Sequence, residues 1–121
     1  RPSALAPEDP LVLVLAESGV VRRLLLYLLE AHRFRVQLAK DLEMALRLLK
    51  ERPKGIILQG ERALEAARRI RALPEGRLAS LYLVSETPPG LLFRPLRVLH
   101  LPKPLRSQEV LKALAPLRGG T

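Results

Sequence analysis

Short apolar runs alternate along the chain with segments that have the hydrophobic spacing of α-helices. The first run, Leu11–Leu15, is continuously apolar, which is typical of a parallel strand covered on both faces. Later runs keep the same rhythm, so that strands are predicted at Leu11–Leu15, Arg35–Ala39, Ile56–Leu58, Leu81–Val84 and Val98–Leu101. Because parallel strands are joined by crossovers, usually helical, this alternation predicts an α/β protein with a parallel central sheet.

Helical spacing also predicts where the crossovers run. Helices are predicted over Gly19–His32, over Leu42–Arg52 behind an Asp41 N-cap, over Glu61–Leu73, and after an N-cap at Ser107. The residues expected to face the core are Val21, Leu24, Leu25, Leu28, Leu42, Ala45, Leu46, Leu49, Ala63, Ala67, Ile70, Val110, Leu111, Leu114 and Leu117. Right-handed crossovers and the chain length favour a flavodoxin-like three-layer sandwich with five strands in the order 2-1-3-4-5.

The rhythm breaks between the fourth and fifth predicted strands. Thr87–Gly90 contains two prolines and a glycine, and Pro95 follows shortly after. Proline lacks the amide hydrogen that a helix interior needs, so that one or two turns at most are expected around Leu91–Arg94. The fourth helix is therefore predicted to be shortened or absent.

Composition excludes several classes of protein. With 121 residues, 48% of them hydrophobic, the chain fits one domain, predicted over residues 11–118 between tails at 1–10 and 119–121. It has no cysteine for a disulfide or a thiolate metal site, and no apolar run long enough to span a bilayer. We expect a cytoplasmic protein. The net charge of +9 raises the expectation of an anionic partner, although the basic residues are spread over every predicted helix.

Polar side chains follow the predicted strands at the edge where parallel strands end together. Ala16 and Glu17 follow strand 1, Gln59 follows strand 3, and Ser85 follows strand 4, while Lys103 comes directly after strand 5. In an open α/β sheet of this order, the functional crevice lies at this carboxyl edge, beside the point where the strand order reverses. Lysine in such a crevice needs an anionic partner, and the acids that would supply one are mostly missing.

From Leu11 to Leu117 the chain resembles the receiver domain of two-component response regulators. The resemblance is carried by the apolar first strand before an acidic position, by Arg22 with Leu24 and Leu25, and by Lys103-Pro104. A small hydroxyl after strand 4, Ser85, also matches. The resemblance implies transfer of a phosphoryl group onto an aspartate after strand 3, with Mg²⁺ held by an acidic pair after strand 1. It also implies a switch residue three positions before the lysine.

The sequence departs from that family where the chemistry is most demanding. The phosphoacceptor position falls on Gln59, and an amide cannot act as the carboxylate nucleophile that forms an acyl phosphate. The acidic pair falls on Ala16 and Glu17, which leaves one carboxylate for Mg²⁺, and the switch position falls on His100. Helix 3 is predicted to start almost at once after Gly60. These departures indicate a degenerate pocket of Ala16, Glu17, Gln59, Ser85 and Lys103, with no catalytic residue, metal or cofactor.

Simpler structural roles remain open for the same residues. Glu17 is expected to pair with Lys103, because an acid and a base that face one crevice neutralise each other. Gln59 is expected to accept or donate a hydrogen bond with Ser85 or with the backbone. Lys103-Pro104 serves turn geometry, with a cis peptide as one option. His100 is expected to be an ordinary strand residue rather than a pH switch.

We therefore expect a pseudo-receiver without enzymatic activity that regulates two-component-type signalling through protein contact, by self-association as a homodimer or with a separate partner or output domain. Leu91, Leu92, Phe93 and Leu96 either cover the sheet or form the contact surface. Leu26, Tyr27 and Leu117 of the first and last helices are the alternative surface.

Two other functions stay open. The first is a basic nucleic-acid-binding regulatory domain, centred on Arg68, Arg69, Arg71 and Arg77, although the 3% aromatic content argues against stacking of single strands. The second is a small-molecule or catalytic domain of flavodoxin-like shape. It is weakened because Ala16–Gly19 makes a poor phosphate loop and the Glu17 carboxylate would repel a phosphate.

Overall fold

Five parallel strands form the centre of the computed structural model, which describes residues 8–119. The strands are β1 (Leu11–Ala16), β2 (Arg35–Leu38), β3 (Gly55–Gln59), β4 (Ser80–Ser85) and β5 (Val98–Pro102). They lie in the order β2-β1-β3-β4-β5, and every neighbouring pair is parallel. The predicted flavodoxin-like sheet and its strand order are confirmed.

Within the described residues, four helices surround this sheet where the apolar spacing predicts them, and two single-turn helices that the sequence did not predict as separate elements add to them. They are α1 (Gly19–Ala31), α2 (Leu42–Leu48), α3 (Ala63–Arg71), the single-turn α4 (Pro74–Arg77), α5 (Ser107–Leu114) and α6 (Pro116–Gly119). A 3₁₀ turn, Leu49–Glu51, extends α2, and a second 3₁₀ segment, Leu91–Leu96, joins β4 to β5. The Asp41 side chain accepts a hydrogen bond from the Met44 amide, which confirms the predicted N-cap of α2.

Each face of the sheet carries its own buried cluster. Val12 and Val14 of β1 pack with α1 and α5 on one face, whereas Leu13 packs with α2 and α3 on the other. Alternate residues of a strand point to opposite faces, so the continuously apolar β1 contributes to both clusters. The three central strands β1, β3 and β4 are thus largely buried on both faces, whereas the edge strands β2 and β5 are only partly covered.

One prediction for α1 and one for α5 are wrong. Leu24 is 42% exposed, and Leu29 takes the expected place in the core with Val21, Leu25 and Leu28. These four positions lie on one face of α1, and Leu24 lies outside that stripe. Ser107 does not cap α5, because it already belongs to the helix. Arg106 occupies the cap position without a side-chain hydrogen bond.

The crossover between β4 and β5 contains only the 3₁₀ segment in residues 86–97, all of which the structure describes. The prediction that the segment between β4 and β5 has a shortened helix or none is confirmed. Phe93 and Leu96 pack against the cluster beside α3, in the place that a helix would cover. Leu91 and Leu92 remain 75% and 63% exposed. The segment therefore both covers the sheet and presents apolar side chains to solvent.

Arg71 joins this crossover to α3 and α4. Its guanidinium donates hydrogen bonds to the carbonyl oxygens of Leu96, Gly76, Arg77, Ala79 and Arg97 at 2.7–3.3 Å. Burial, and then the nearby charge of Arg97, lowers the pKa of Arg71 from its usual value. Arg71 is therefore a structural cross-link, and its guanidinium is already engaged rather than available to the patch considered with Arg68, Arg69 and Arg77.

Of the predicted tails, residues 1–7 and 120–121 lie outside the described part of the chain, and the domain boundaries remain a prediction. Asp9 forms an ion pair with Arg33 at 3.2 Å. From residue 8 to residue 119, no helix is both long enough and apolar enough to cross a bilayer.

Candidate functional site

The carboxyl edge of the sheet brings together four of the predicted pocket residues. Ala16 lies opposite Gln59 in the β1–β3 register. In the β4–β5 register Ser85 lies opposite Pro102, the residue that precedes Lys103. A cavity of about 490 Å³ is lined by Glu17, Gln59, Ser85 and Lys103, among others. Ala16 lines a neighbouring cavity instead. We call the 490 Å³ cavity the edge pocket.

Gln59 is bound to the loop between β1 and α1. Its side-chain Oε1 accepts a hydrogen bond from the Ser18 amide at 2.8 Å, and its carbonyl oxygen accepts one from the Glu17 amide at 3.0 Å. The backbone alternative for Gln59 is confirmed, and Ser85 is not its partner. The amide thus serves the backbone of the loop that begins α1.

Glu17 reaches across the edge pocket to the loop before α3. Its Oε2 accepts a hydrogen bond from the Arg62 amide at 3.2 Å. Its Cγ and Cδ also occupy the space beside Gly60, where a Cβ would approach them to 2.4 and 2.3 Å. The expected ion pair between Glu17 and Lys103 is absent from the described residues. The reason is that a backbone amide at the start of α3, which has no partner within that helix, binds the carboxylate instead.

Ser85 binds the loop that follows it as well as His100 of β5 and Lys103 just after that strand. Its hydroxyl donates to the Thr87 carbonyl at 2.6 Å, while its own carbonyl accepts from the His100 Nε2 at 3.0 Å and from the Lys103 amide at 3.1 Å. The peptide bond between Lys103 and Pro104 is cis. His100 is half-buried in the edge strand β5.

Two residues of this region have roles that the sequence did not reveal. Arg22 donates from Nη1 to the carbonyl oxygens of Ala16 and Glu17, at 2.8 and 3.3 Å, and so binds the end of β1 to α1. Gly60 has a φ of +127°, a backbone conformation that residues with a Cβ rarely adopt. Its missing Cβ also leaves room for the Glu17 side chain. A lone glycine directly after a strand was the only sequence signal for this close approach.

Exposed apolar side chains form two surfaces away from the pocket. Leu91 and Leu92 of the 3₁₀ segment form the crossover patch, whereas Leu99, which is 52% exposed, points to the opposite face of the sheet. Val20, Leu24 and Tyr27 form a second surface, the α1 patch. Leu26 is half-buried. Leu117 is 6% exposed because it packs into the core, so its predicted place on an outward surface is wrong.

No protein-family model matches this chain, and no curated protein matches it in sequence. Solved structures do match its fold. The chemotaxis response regulator CheY4 of Vibrio cholerae superposes with a TM-score of 0.80 at 18% identity, over 90% of this chain and 98% of that one. A response regulator receiver protein from Pseudomonas putida gives 0.77 at 26% identity, over 89% and 97%.

A third match is the receiver domain of a sensor histidine kinase from Pseudomonas aeruginosa, in which a magnesium ion is coordinated in the active-site cleft. Its TM-score is 0.76 at 21% identity, over 93% of this chain and 99% of that one. The structural neighbours are thus receiver domains, and this chain has their CheY-like fold.

The residues at the edge pocket do not fit Mg²⁺. This ion prefers carboxylate oxygens and water in a near-octahedral arrangement. Here position 16 is alanine, and the side-chain oxygen of Gln59 already accepts a hydrogen bond from the Ser18 amide. The Glu17 carboxylate already accepts one from the backbone amide of Arg62. Within residues 8–119, no three His, Cys, Asp or Glu side chains lie close enough together to hold a metal ion.

Proposed function

We propose that this domain is a pseudo-receiver, which regulates two-component-type signalling through protein contact and without phosphorylation, catalysis or a cofactor. The observation that carries the proposal is the Gln59 amide, which lies at the end of β3 with its oxygen bound to the Ser18 amide at 2.8 Å. An aspartate carboxylate at that place would be the nucleophile of an acyl phosphate. An amide lacks that nucleophilicity. The domain therefore keeps surfaces that can contact another protein but has no residue at this place to accept a phosphoryl group.

The rest of the edge pocket supports the same conclusion. Ser85 donates its hydroxyl to Thr87, and Glu17 accepts from Arg62, so both polar side chains serve the adjoining loops. Phosphoryl transfer depends on groups that are positioned to neutralise developing charge. In this pocket Glu17, Gln59 and Ser85 hold the loops in place instead, which suits a fixed scaffold. We place the domain in the cytoplasm.

The crossover patch is the proposed contact surface. A regular helix would bury more of this side of the sheet, whereas the 3₁₀ segment leaves the consecutive residues Leu91 and Leu92 exposed. Contiguous exposed apolar side chains mark interaction sites more often than isolated ones do. Nucleic-acid binding is the alternative, and it is weakened because Arg71 is bound to five carbonyl oxygens.

Sedimentation velocity over a range of protein concentrations tests this proposal. We expect self-association whose strength is the same with and without acetyl phosphate and Mg²⁺. The Leu91→Ser/Leu92→Ser variant is expected to weaken it at least about tenfold, equivalent to about 1.4 kcal/mol. The matched control is Val20→Ser/Tyr27→Ser, which removes two equally exposed apolar side chains from the α1 patch. A dimer that forms only with the phosphodonor, or that only the control disrupts, contradicts the proposal.

A further inference from the structure

A second cavity lies beside the edge pocket, between the first turns of α2 and α3. Its volume is about 370 Å³, within the range of small-molecule sites. The apolar part of its lining comprises Leu15, Ala16, Leu42, Leu58, Ala63 and Ala66. The charged part of its lining comes from Arg22, Lys40 and Arg62, with Glu17 and Asp41. We call it the α2–α3 cavity.

The cations that line this cavity are less fully engaged than the acids. The Lys40 ammonium and the Arg62 guanidinium form no ion pair and donate no hydrogen bond to any residue from 8 to 119. Arg22 uses only Nη1, on two backbone carbonyl oxygens. These three positive groups therefore retain donors that a negatively charged ligand could accept from.

The two carboxylates already have backbone partners. Glu17 accepts from the Arg62 amide at 3.2 Å, and Asp41 accepts from the Met44 amide at 2.9 Å as the cap of α2. Hydrogen bonds from backbone amides satisfy a carboxylate without neutralising a cation. The lining thus carries three cations and two carboxylates, a net charge of +1, over an apolar interior, and only the cations retain unused donors.

We propose that the α2–α3 cavity binds a small amphipathic anion, with a carboxylate, phosphate or sulfonate head between Lys40 and Arg62 and an apolar body against Leu15 and Leu58. Inorganic ions would leave the apolar interior unfilled, and a neutral apolar molecule would leave the cations unpartnered. Both chemistries of the lining are matched only by a molecule that carries both.

Such a ligand would give the domain an input in place of a phosphoryl group, and this regulatory role rests on the proposed function. Glu17, Gln59 and Ala63 line both the α2–α3 cavity and the edge pocket, and so form the wall between them. A bound anion next to Arg62 would lie beside the loop that Glu17 holds. Occupancy of one cavity would thereby restrict the residues that line the other.

Fluorescence titration with anilinonaphthalene sulfonate, an aromatic monoanion that brightens in apolar surroundings, tests the site. We expect saturable enhancement at one site per chain. The Lys40→Gln/Arg62→Gln variant is expected to bind the dye at least about tenfold more weakly, whereas Lys40→Arg/Arg62→Lys, which retains both charges, is expected to restore most of the affinity. The matched control is Arg68→Gln/Arg69→Gln, which removes the same charge from exposed positions of α3 outside the cavity.

The outcomes distinguish dye bound in the α2–α3 cavity from dye bound anywhere else on the domain. Equal weakening by the Arg68/Arg69 control would show a general effect of charge and would overturn the proposal. Loss of the signal in Leu91→Ser/Leu92→Ser alone would place the dye on the crossover patch and would also overturn it, as would enhancement that never saturates. Phosphorylation does not enter this measurement, so a failure of the site and a failure of the pseudo-receiver proposal are read out separately.

Discussion

Replacement of Arg71 by methionine is expected to lower the free energy of unfolding by about 3 kcal/mol, because five carbonyl oxygens lose a charged donor. Arg71 binds Leu96 and Arg97 of the β4–β5 crossover as well as Gly76, Arg77 and Ala79 around α4. Methionine retains much of the aliphatic packing and removes all of these bonds. Urea denaturation followed by circular dichroism measures the difference.

Two variants separate the hydrogen bonds from the charge. Arg68→Met removes an exposed arginine of the same helix and is expected to change stability by less than about 0.5 kcal/mol. Arg71→Lys keeps the charge, but an ammonium cannot reach several carbonyl oxygens in the fork geometry of a guanidinium, so it should recover only part of the loss. Equal stability of Arg71→Met and Arg68→Met would show that the cross-link contributes nothing.

Replacement of Gly60 by alanine is expected to cost about 3 kcal/mol for two separate reasons. The φ of +127° is strained for any residue with a Cβ. The new Cβ would also lie 2.3 Å from Glu17 Cδ, which must move and give up its hydrogen bond to the Arg62 amide. Thermal and urea denaturation of the variant measure the total cost.

The two contributions can be separated with a double-mutant cycle. In a Glu17→Ala background the contact is relieved and only the backbone strain remains, so Gly60→Ala should cost less there than in the native chain. Gly90→Ala is the matched control, because its Cβ would meet no heavy atom within 4 Å. A Gly60→Ala cost that is the same in both backgrounds would contradict the close contact with Glu17.

The strand pattern predicts most of the fold because parallel strands at the centre of a sheet are apolar on both faces. Leu11–Leu15 and Ile56–Leu58 are recognisable for this reason, and the prolines near Leu91 correctly exclude a full helix. The errors concern finer detail. Leu24 and Leu29 are both leucines of the amphipathic helix α1. Which of them is buried depends on how the helix is rotated about its axis against the sheet, and this rotation is not visible in the sequence.

The site is predictable in location and less so in its contacts. Strand ends meet at one edge of a parallel sheet, so Gln59, Ser85 and Lys103 are placed together by topology alone. Which partner each side chain selects depends on loop conformation. Glu17 therefore binds the Arg62 amide and not Lys103, a choice set by the φ of Gly60 and the short loop after it. Arg71 likewise turns inward, toward carbonyl oxygens around α4 and at the end of the β4–β5 crossover.

The central claim is that the amide at position 59 leaves the domain without a phosphoacceptor. Intact-protein mass spectrometry after incubation with acetyl phosphate and Mg²⁺ tests it most directly, alongside a receiver domain that has the acceptor aspartate as a positive control. We predict that the mass of this protein is unchanged under conditions in which the control gains one phosphoryl group. A gain of one phosphoryl group by the native chain would contradict the account.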